Sequence, residues 1–354
     1  MMQINAKGYD RELYQEIKKG WDSVAKPLDS LGSFEELHAR IGAVQGRIMP
    51  ELTKSRVIVC CADNGIVEEG VSQSGQEITA ICAENIANGR SSVAIMANQA
   101  GVEILTVDVG INTDQMIPNV RDCKIRKGTR NFYREPAMTP KEAEQAILTG
   151  MELVRESKEQ GYSILGMGEM GIGNTSTSSA VTAVLLGLSA ETVTGRGAGL
   201  DDEGLLRKQR VIREALGKYG YTGNKPARTS KEAFEALTIL GGLDIACMAG
   251  LCLGGAKYGV PIVLDGFISL VAALVACRIL PVTREYLIPS HSSKEPAVLR
   301  IEEELELHPV LHAGMALGEG TGAVLMLQLL RTVGAVYENG YSFEKAGIDQ
   351  YRRY

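Results

Sequence analysis

The feature that most constrains this chain is a repeated device, a short apolar run that ends in a polar turn, usually with a glycine. It occurs at 55–65 (SRVIVCCADNG), 102–111 (VEILTVDVGI), 162–171 (YSILGMGEMG) and 260–267 (VPIVLDGF), with a weaker copy at 286–291 (YLIPSH). Runs this short and this continuously apolar read as strands buried on both faces. Helical stretches separate them, at 76–100, 140–160, 175–187, 201–218, 231–257 and 267–279. Strands alternating with helices predict an α/β fold, a parallel sheet covered by helices on both faces. Ligands of such sheets bind beyond the carboxyl ends of the strands. Function is therefore expected near the polar run ends: Asp63, Asn64, Asp108, Glu169, Asp265, Ser290 and His291.

The ends of the chain read differently. Residues 1–25 interleave charged and apolar residues as a helix does. Residues 26–42 form a turn that launches a second helix, with Ser33 as N-cap and Glu36 completing a capping box. From about 297 the pattern is helical to the end. We expect a small helical domain from 1–25 plus 297–354, and a large Rossmann-like α/β domain over 26–296. The apolar stretch 260–280 is long enough to suggest a membrane span, but Asp265-Gly266 divides it into a strand and a core helix.

Composition excludes several classes. The net charge is −6 and aromatics make up 5% of the chain, which argues against a nucleic-acid partner. Seven cysteines (Cys60, Cys61, Cys82, Cys123, Cys247, Cys252, Cys277) contain no CxxC and sit mostly in apolar context. They read as free thiols in a reducing, cytoplasmic setting. Four histidines (His38, His291, His308, His312) show no metal-ligand spacing, and the amino terminus shows no signal-peptide pattern.

Three glycine-rich turns carry the chemistry. The stretch 166–180 follows a strand and opens a helix, with Asn174, Thr175 and Ser176 as cap candidates. Helix starts of this kind hold phosphate. Gly166, Gly168 and Gly171 also spell G-x-G-x-x-G, a dinucleotide signature. Glu169, however, would point a negative charge into the pyrophosphate turn. A plain strand–helix turn stays open as a reading, as does a single-phosphate site. In 193–212, Gly195 and Gly197 precede Arg207, Lys208 and Arg210, which form either a solvated helix face or a phosphate cap through Lys208. In LGEGTGAVLML (317–327) Glu319 sits between glycines at the head of a buried helix. It is either an acid that suits the helix dipole or a base held in an apolar cleft.

Together these segments resemble one family. KPLDSLGSFEEL, CADNGIVEEGVS, VDVGI, GMGEMGIGNTSTS, GRGAGL, LGGLDIACMAG, VLDGFIS, YLIPSHSS and LGEGTGA occur in the order found in nicotinate-nucleotide–dimethylbenzimidazole phosphoribosyltransferases, over about residues 20–345. The resemblance implies a homodimer with no metal or redox cofactor. It implies transfer of 5-phosphoribose from nicotinate mononucleotide to a 5,6-dimethylbenzimidazole-type base, giving α-ribazole 5′-phosphate and nicotinate for the cobamide lower ligand. It assigns the catalytic base to Glu319 and a supporting role to Glu169. It places Gly171, Asn174, Thr175, Gly197, Lys208 and Ser293 around phosphate and ribose, and Ser74, Cys82 and Leu317 around the incoming base. The chain departs from the family pattern at Asn64 (usually His), Asp29 (usually Gly), Gly75 (usually Pro) and Cys82 (usually polar). These departures leave open another benzimidazole, a purine or a phenol as acceptor. An NAD-dependent oxidoreductase and a non-catalytic binder are the competing readings.

Overall fold

The computed structural model describes residues 4–222 and 225–353. Six parallel strands form one sheet: β1 (Ser55–Ala62), β2 (Glu103–Gly110), β3 (Arg121–Asp122), β4 (Ile164–Met170), β5 (Ile262–Val263) and β6 (Leu287–Ile288), in the order β3-β2-β1-β4-β5-β6. The order reverses between β1 and β4, which opens a crevice beyond their carboxyl ends. The five apolar runs are all strands. The sixth, β3, is a two-residue edge strand of charged residues and carries no hydrophobic pattern.

Side chains alternate across the strands and so build two cores. On β1, Ile58, Cys60 and Ala62 face one core, and Val57, Val59 and Cys61 face the other. The first core holds the helices Pro140–Glu159, Asn174–Leu186, Leu243–Tyr258 and Phe267–Ile279. The second holds Glu77–Ala87, Ser92–Ala100 and the first half of Thr321–Asn339. The helix Phe267–Ile279 is buried along nearly its whole length, which explains the apolar stretch without a membrane; no described helix is long and apolar enough to cross one.

The helix Thr321–Asn339 spans two environments. Ala323, Val324, Met326, Leu327 and Leu330 pack on the sheet, while Val333 and Tyr337 meet Ile17 and Trp21 of the helix Arg11–Ser23. Trp21 is fully buried, with its ring 5.0 Å from Tyr337 and 5.3 Å from His38. Asp29 adopts φ +53°, the left-handed conformation that favours glycine, and is gripped by Lys18 at 3.1 Å and Arg353 at 2.7 and 2.9 Å.

Four local expectations are corrected. Ser33 is the first residue of its helix, not the N-cap: Gly32 holds that position at φ +57° with no side-chain cap, so no capping box forms. The helix expected over 76–100 breaks at Gly89, where Ser91 caps a second helix by accepting the Ala94 N–H at 3.2 Å. The helix expected over 231–257 likewise divides, into Ser230–Leu240 and Leu243–Tyr258, at Gly241-Gly242. The tail is not continuously helical, because residues 306–320 form a loop that crosses the carboxyl edge of the sheet.

Candidate active site

The cleft beyond β4, β5 and β6 is lined by Glu169, Gly171, Asn174, Thr175, Gly197, Asp265, His291, Ser293, Glu295, Leu317 and Glu319, among others. Segments far apart in sequence meet here because each follows a strand or opens a helix at the same edge.

One side is an anion cradle. The helix Asn174–Leu186 begins after Gly173 at φ +94°, and no side chain caps it. Asn174, Thr175 and Ser176, the cap candidates, all lie inside the helix. The Asn174 and Ser176 N–H groups donate to the Gly171 and Gly173 carbonyls at 3.1 and 3.0 Å, so what the turn offers an anion is the positive end of the helix dipole, uncovered by any side-chain cap. Lys208 lies beside this terminus, fully buried, with its Nζ donating to Thr175 Oγ1 at 2.8 Å. Burial pushes its ammonium down to about 8, with Glu295 acting in the opposite direction. Its hydrogen-bond partner is thus a hydroxyl, and the carboxylate that acts on it, Glu295, does so through charge alone. A buried cation hydrogen-bonded to a neutral hydroxyl and not to a carboxylate is costly, and an arriving anion offsets that cost. Gly197, at φ +54°, closes the cradle: a Cβ there would press on Thr175 Oγ1 and lie 3.3 Å from Lys208 Nζ.

The other side is acidic. Glu169 is 8% exposed, and its Oε2 accepts from Asn174 Nδ2 at 2.6 Å. The same Nδ2 donates to Asp244 Oδ2 at 3.0 Å. Burial raises the Glu169 carboxyl to about 8, against the Asn174 bond and with added repulsion from Asp244 and Asp265. Asp244, fully buried, is raised to about 6 for the same main reason. Two acids crowd the G-x-G-x-x-G turn, which opposes a pyrophosphate there.

Glu319 sits in the loop before Thr321–Asn339 at φ +60°, between Gly318 at +82° and Gly320 at +93°. A non-glycine residue in this region costs about 1–2 kcal/mol, and such strain gathers at functional sites. Gly168 permits the approach, since a Cβ on it would collide with the Glu319–Gly320 backbone. Glu319 is half-buried, and its Oε2 has no hydrogen-bond partner. Desolvation raises its carboxyl above the ordinary range; the Val93 N–H, in the first turn of Ser92–Ala100, opposes this and Asp265 adds to it.

Leu317 lines the cleft mouth and is 55% exposed. Cys82, on Glu77–Ala87, does not line the cleft itself; burial raises its thiol, and it is near enough for the Glu319 charge to add to the rise. Ser74 does not line the cleft; its N–H bonds to Ser72 Oγ at 3.3 Å in the preceding loop. Asn64 is fully buried behind the site, where its Oδ1 accepts from Thr177 Oγ1 at 3.1 Å.

Sequence reasoning assigned no role to Asp244 or Glu295 and read Asp265 only as a strand end. Asp244 had a signal: it is the one acid near the start of an otherwise apolar helix, Leu243–Tyr258. Lys208 also had one, because it shares a buried stripe with Gly204, Val211, Ile212 and Ala215, at helical spacing. Among the described residues, no group of three or more His, Cys, Asp or Glu side chains is placed to hold a metal ion.

A phosphoribosyltransferase family model matches residues 6–348. The nicotinate-nucleotide–dimethylbenzimidazole phosphoribosyltransferase of Ruminiclostridium cellulolyticum is 41% identical over 341 residues, covering 96% of this chain and 95% of that protein. The Thermus thermophilus protein of the same name is 39% identical, with 96% and 99% covered. A crystal structure of CobT from Thermus thermophilus superposes with a TM-score of 0.88 at 38% identity, covering 96% of this chain and all of that one.

Proposed function

The chain belongs to the nicotinate-nucleotide–dimethylbenzimidazole phosphoribosyltransferase family, and from that premise we propose how its cleft performs the transfer. The substrates are nicotinate mononucleotide and a dimethylbenzimidazole-type base. The phosphate occupies the cradle made by the start of Asn174–Leu186, Thr175, Gly197 and Lys208, with Ser293 at its rim. The two heterocycles lie on either side of C1′, toward Glu169 and Glu319.

An unprotonated ring nitrogen of the base attacks C1′. The bond from C1′ to the pyridinium nitrogen breaks, and its electron pair neutralises that nitrogen, so nicotinate leaves without acid help. The second ring nitrogen of the base carries a proton that becomes acidic as the new bond forms. Glu319 takes it, and the product is inverted at C1′, from β to α. Desolvation makes the Glu319 carboxylate a stronger proton acceptor than a solvated one. Glu169, held largely neutral by burial, keeps a second negative charge away from it while accepting the Glu319 N–H at 3.4 Å. Cys82 and Leu317 contact the incoming base, and the homodimer inferred for the family is part of the same proposal.

The observation that carries this reading is the Glu319 carboxylate oxygen, desolvated and unpaired, in one cleft with Thr175 and Gly197, behind which the fully buried Lys208 donates to Thr175 Oγ1. Incubation with nicotinate mononucleotide should release nicotinate only when a benzimidazole is added, and Glu319→Gln should cut that turnover by ~10²–10⁴-fold with nicotinate mononucleotide binding retained. Release without the base, or a Glu319→Gln enzyme as fast as the wild type, overturns the assignment.

A further inference from the structure

We infer that Asp265 is a positioning residue that holds the loop at Glu319 in its working conformation. Asp265 lies two residues beyond the end of β5, lines the cleft and is 3% exposed. Its Oδ2 accepts the Gly320 N–H at 3.0 Å, and its Oδ1 accepts the Gly322 N–H at 2.7 Å. One carboxylate thus grips the backbone immediately after Glu319 at two points.

The grip has work to do. Three successive residues with φ near +60° to +93° belong to no regular structure that would hold them by repetition. The loop's own bonds are few: Thr321 Oγ1 and Thr321 N–H both donate to the Gly318 carbonyl, at 2.9 and 3.1 Å. Asp265 is itself tied to the scaffold. Its N–H donates to Ser269 Oγ at 2.9 Å, and its carbonyl accepts from Ser290 Oγ at 3.2 Å. The chain of contacts therefore runs from the sheet, through one side chain, to the residue proposed to take the proton. Each oxygen is turned to a loop N–H, with His291 Nδ1 3.9 Å from Oδ1, and the role assigned to Asp265 is therefore to act through Glu319.

This rests on the reading of Glu319 as the base, and the test separates the two. Asparagine at 265 keeps one acceptor and turns an N–H toward the other loop N–H. Asp265→Asn should lower kcat ~10–100-fold, since small misplacements of a reacting group cost this much, with KM for nicotinate mononucleotide nearly unchanged. In a Glu319→Gln background the same substitution should cost almost nothing more, because the group being positioned is gone. Thr321→Val, which removes one loop bond and keeps the side-chain shape, should repeat the pattern on a smaller scale and serves if Asp265→Asn does not fold. Losses that multiply in the double variants, or a rise in KM with kcat intact, overturn the positioning role alone. A Glu319→Gln enzyme with wild-type turnover overturns both readings.

Discussion

Two helices open at glycine turns beside the same cleft, and they treat their amino termini in opposite ways. Asn174–Leu186 starts after Gly173 with no side chain over its first N–H groups, and a buried cation stands next to it. Thr321–Asn339 starts after Gly320, and there Asp265 supplies both oxygens to the N–H groups. The first terminus carries no carboxylate and leaves its dipole open to an anion from outside; the second already has one from the chain. A glycine turn before a helix is therefore no phosphate site by itself. What decides is whether a carboxylate from elsewhere in the fold has already taken the place.

The strongest way to break this contrast is Lys208→Met. Charge-assisted bonds to a phosphate contribute about 1.5–3 kcal/mol, so KM for nicotinate mononucleotide should rise ~10–100-fold while kcat changes little. Without ligand, the same variant should melt at a higher temperature, because a buried ammonium has gone. Inorganic phosphate should protect the wild type against thermal unfolding and leave Lys208→Met unprotected. Equal protection of both would mean that the cradle is not where anions bind.

The acidic side can be sharpened through its pH dependence. Burial raises Glu169 from an ordinary 4.5 to about 8, so the folded protein keeps a proton that the unfolded chain releases. That contribution is complete below about pH 4.5 and is lost as the pH rises through 8. Urea unfolding of wild type and Glu169→Gln at steps from pH 5 to 8 should show the variant gaining on the wild type as pH increases. A difference that stays constant with pH would mean Glu169 is charged throughout. Comparing the two proteins cancels His38, which burial lowers to about 4 and which titrates the opposite way in both.

The smallest effect is expected at the base pocket. Cys82→Ser adds a stronger hydrogen-bonding group at a half-buried position. It should shift KM for the incoming base by about 2–10-fold, according to whether that base offers a partner, with KM for nicotinate mononucleotide unmoved. A change confined to nicotinate mononucleotide would move Cys82 out of the base pocket.

How much of this was legible in the sequence follows the range of the interactions. Continuous apolar runs announced five strands, because burial on both faces leaves no polar positions. The edge strand Arg121–Asp122 is half-solvated and so carries no such mark. Glu319 and the glycines around it are local, and they drew attention at once. The Asp265 clamp joins residues 55 and 57 positions apart, and the Asn174 bridge to Asp244 spans 70; no spacing rule covers such pairs. Lys208 looked like one of three charges on a solvated helix. Only its register with Gly204 and Ala215 set it apart from the exposed Arg207 and Arg210.

The helix Thr321–Asn339 has one more consequence. At 1.5 Å per residue its 19 residues form a rod about 28 Å long. One end carries the loop of Glu319, and the other rests near Trp21, the chain's sole tryptophan. The molecule therefore has a built-in optical reporter at the far end of the lever that bears its proposed proton acceptor. Any tilt of that lever when the cleft fills would register in indole emission, with no label attached.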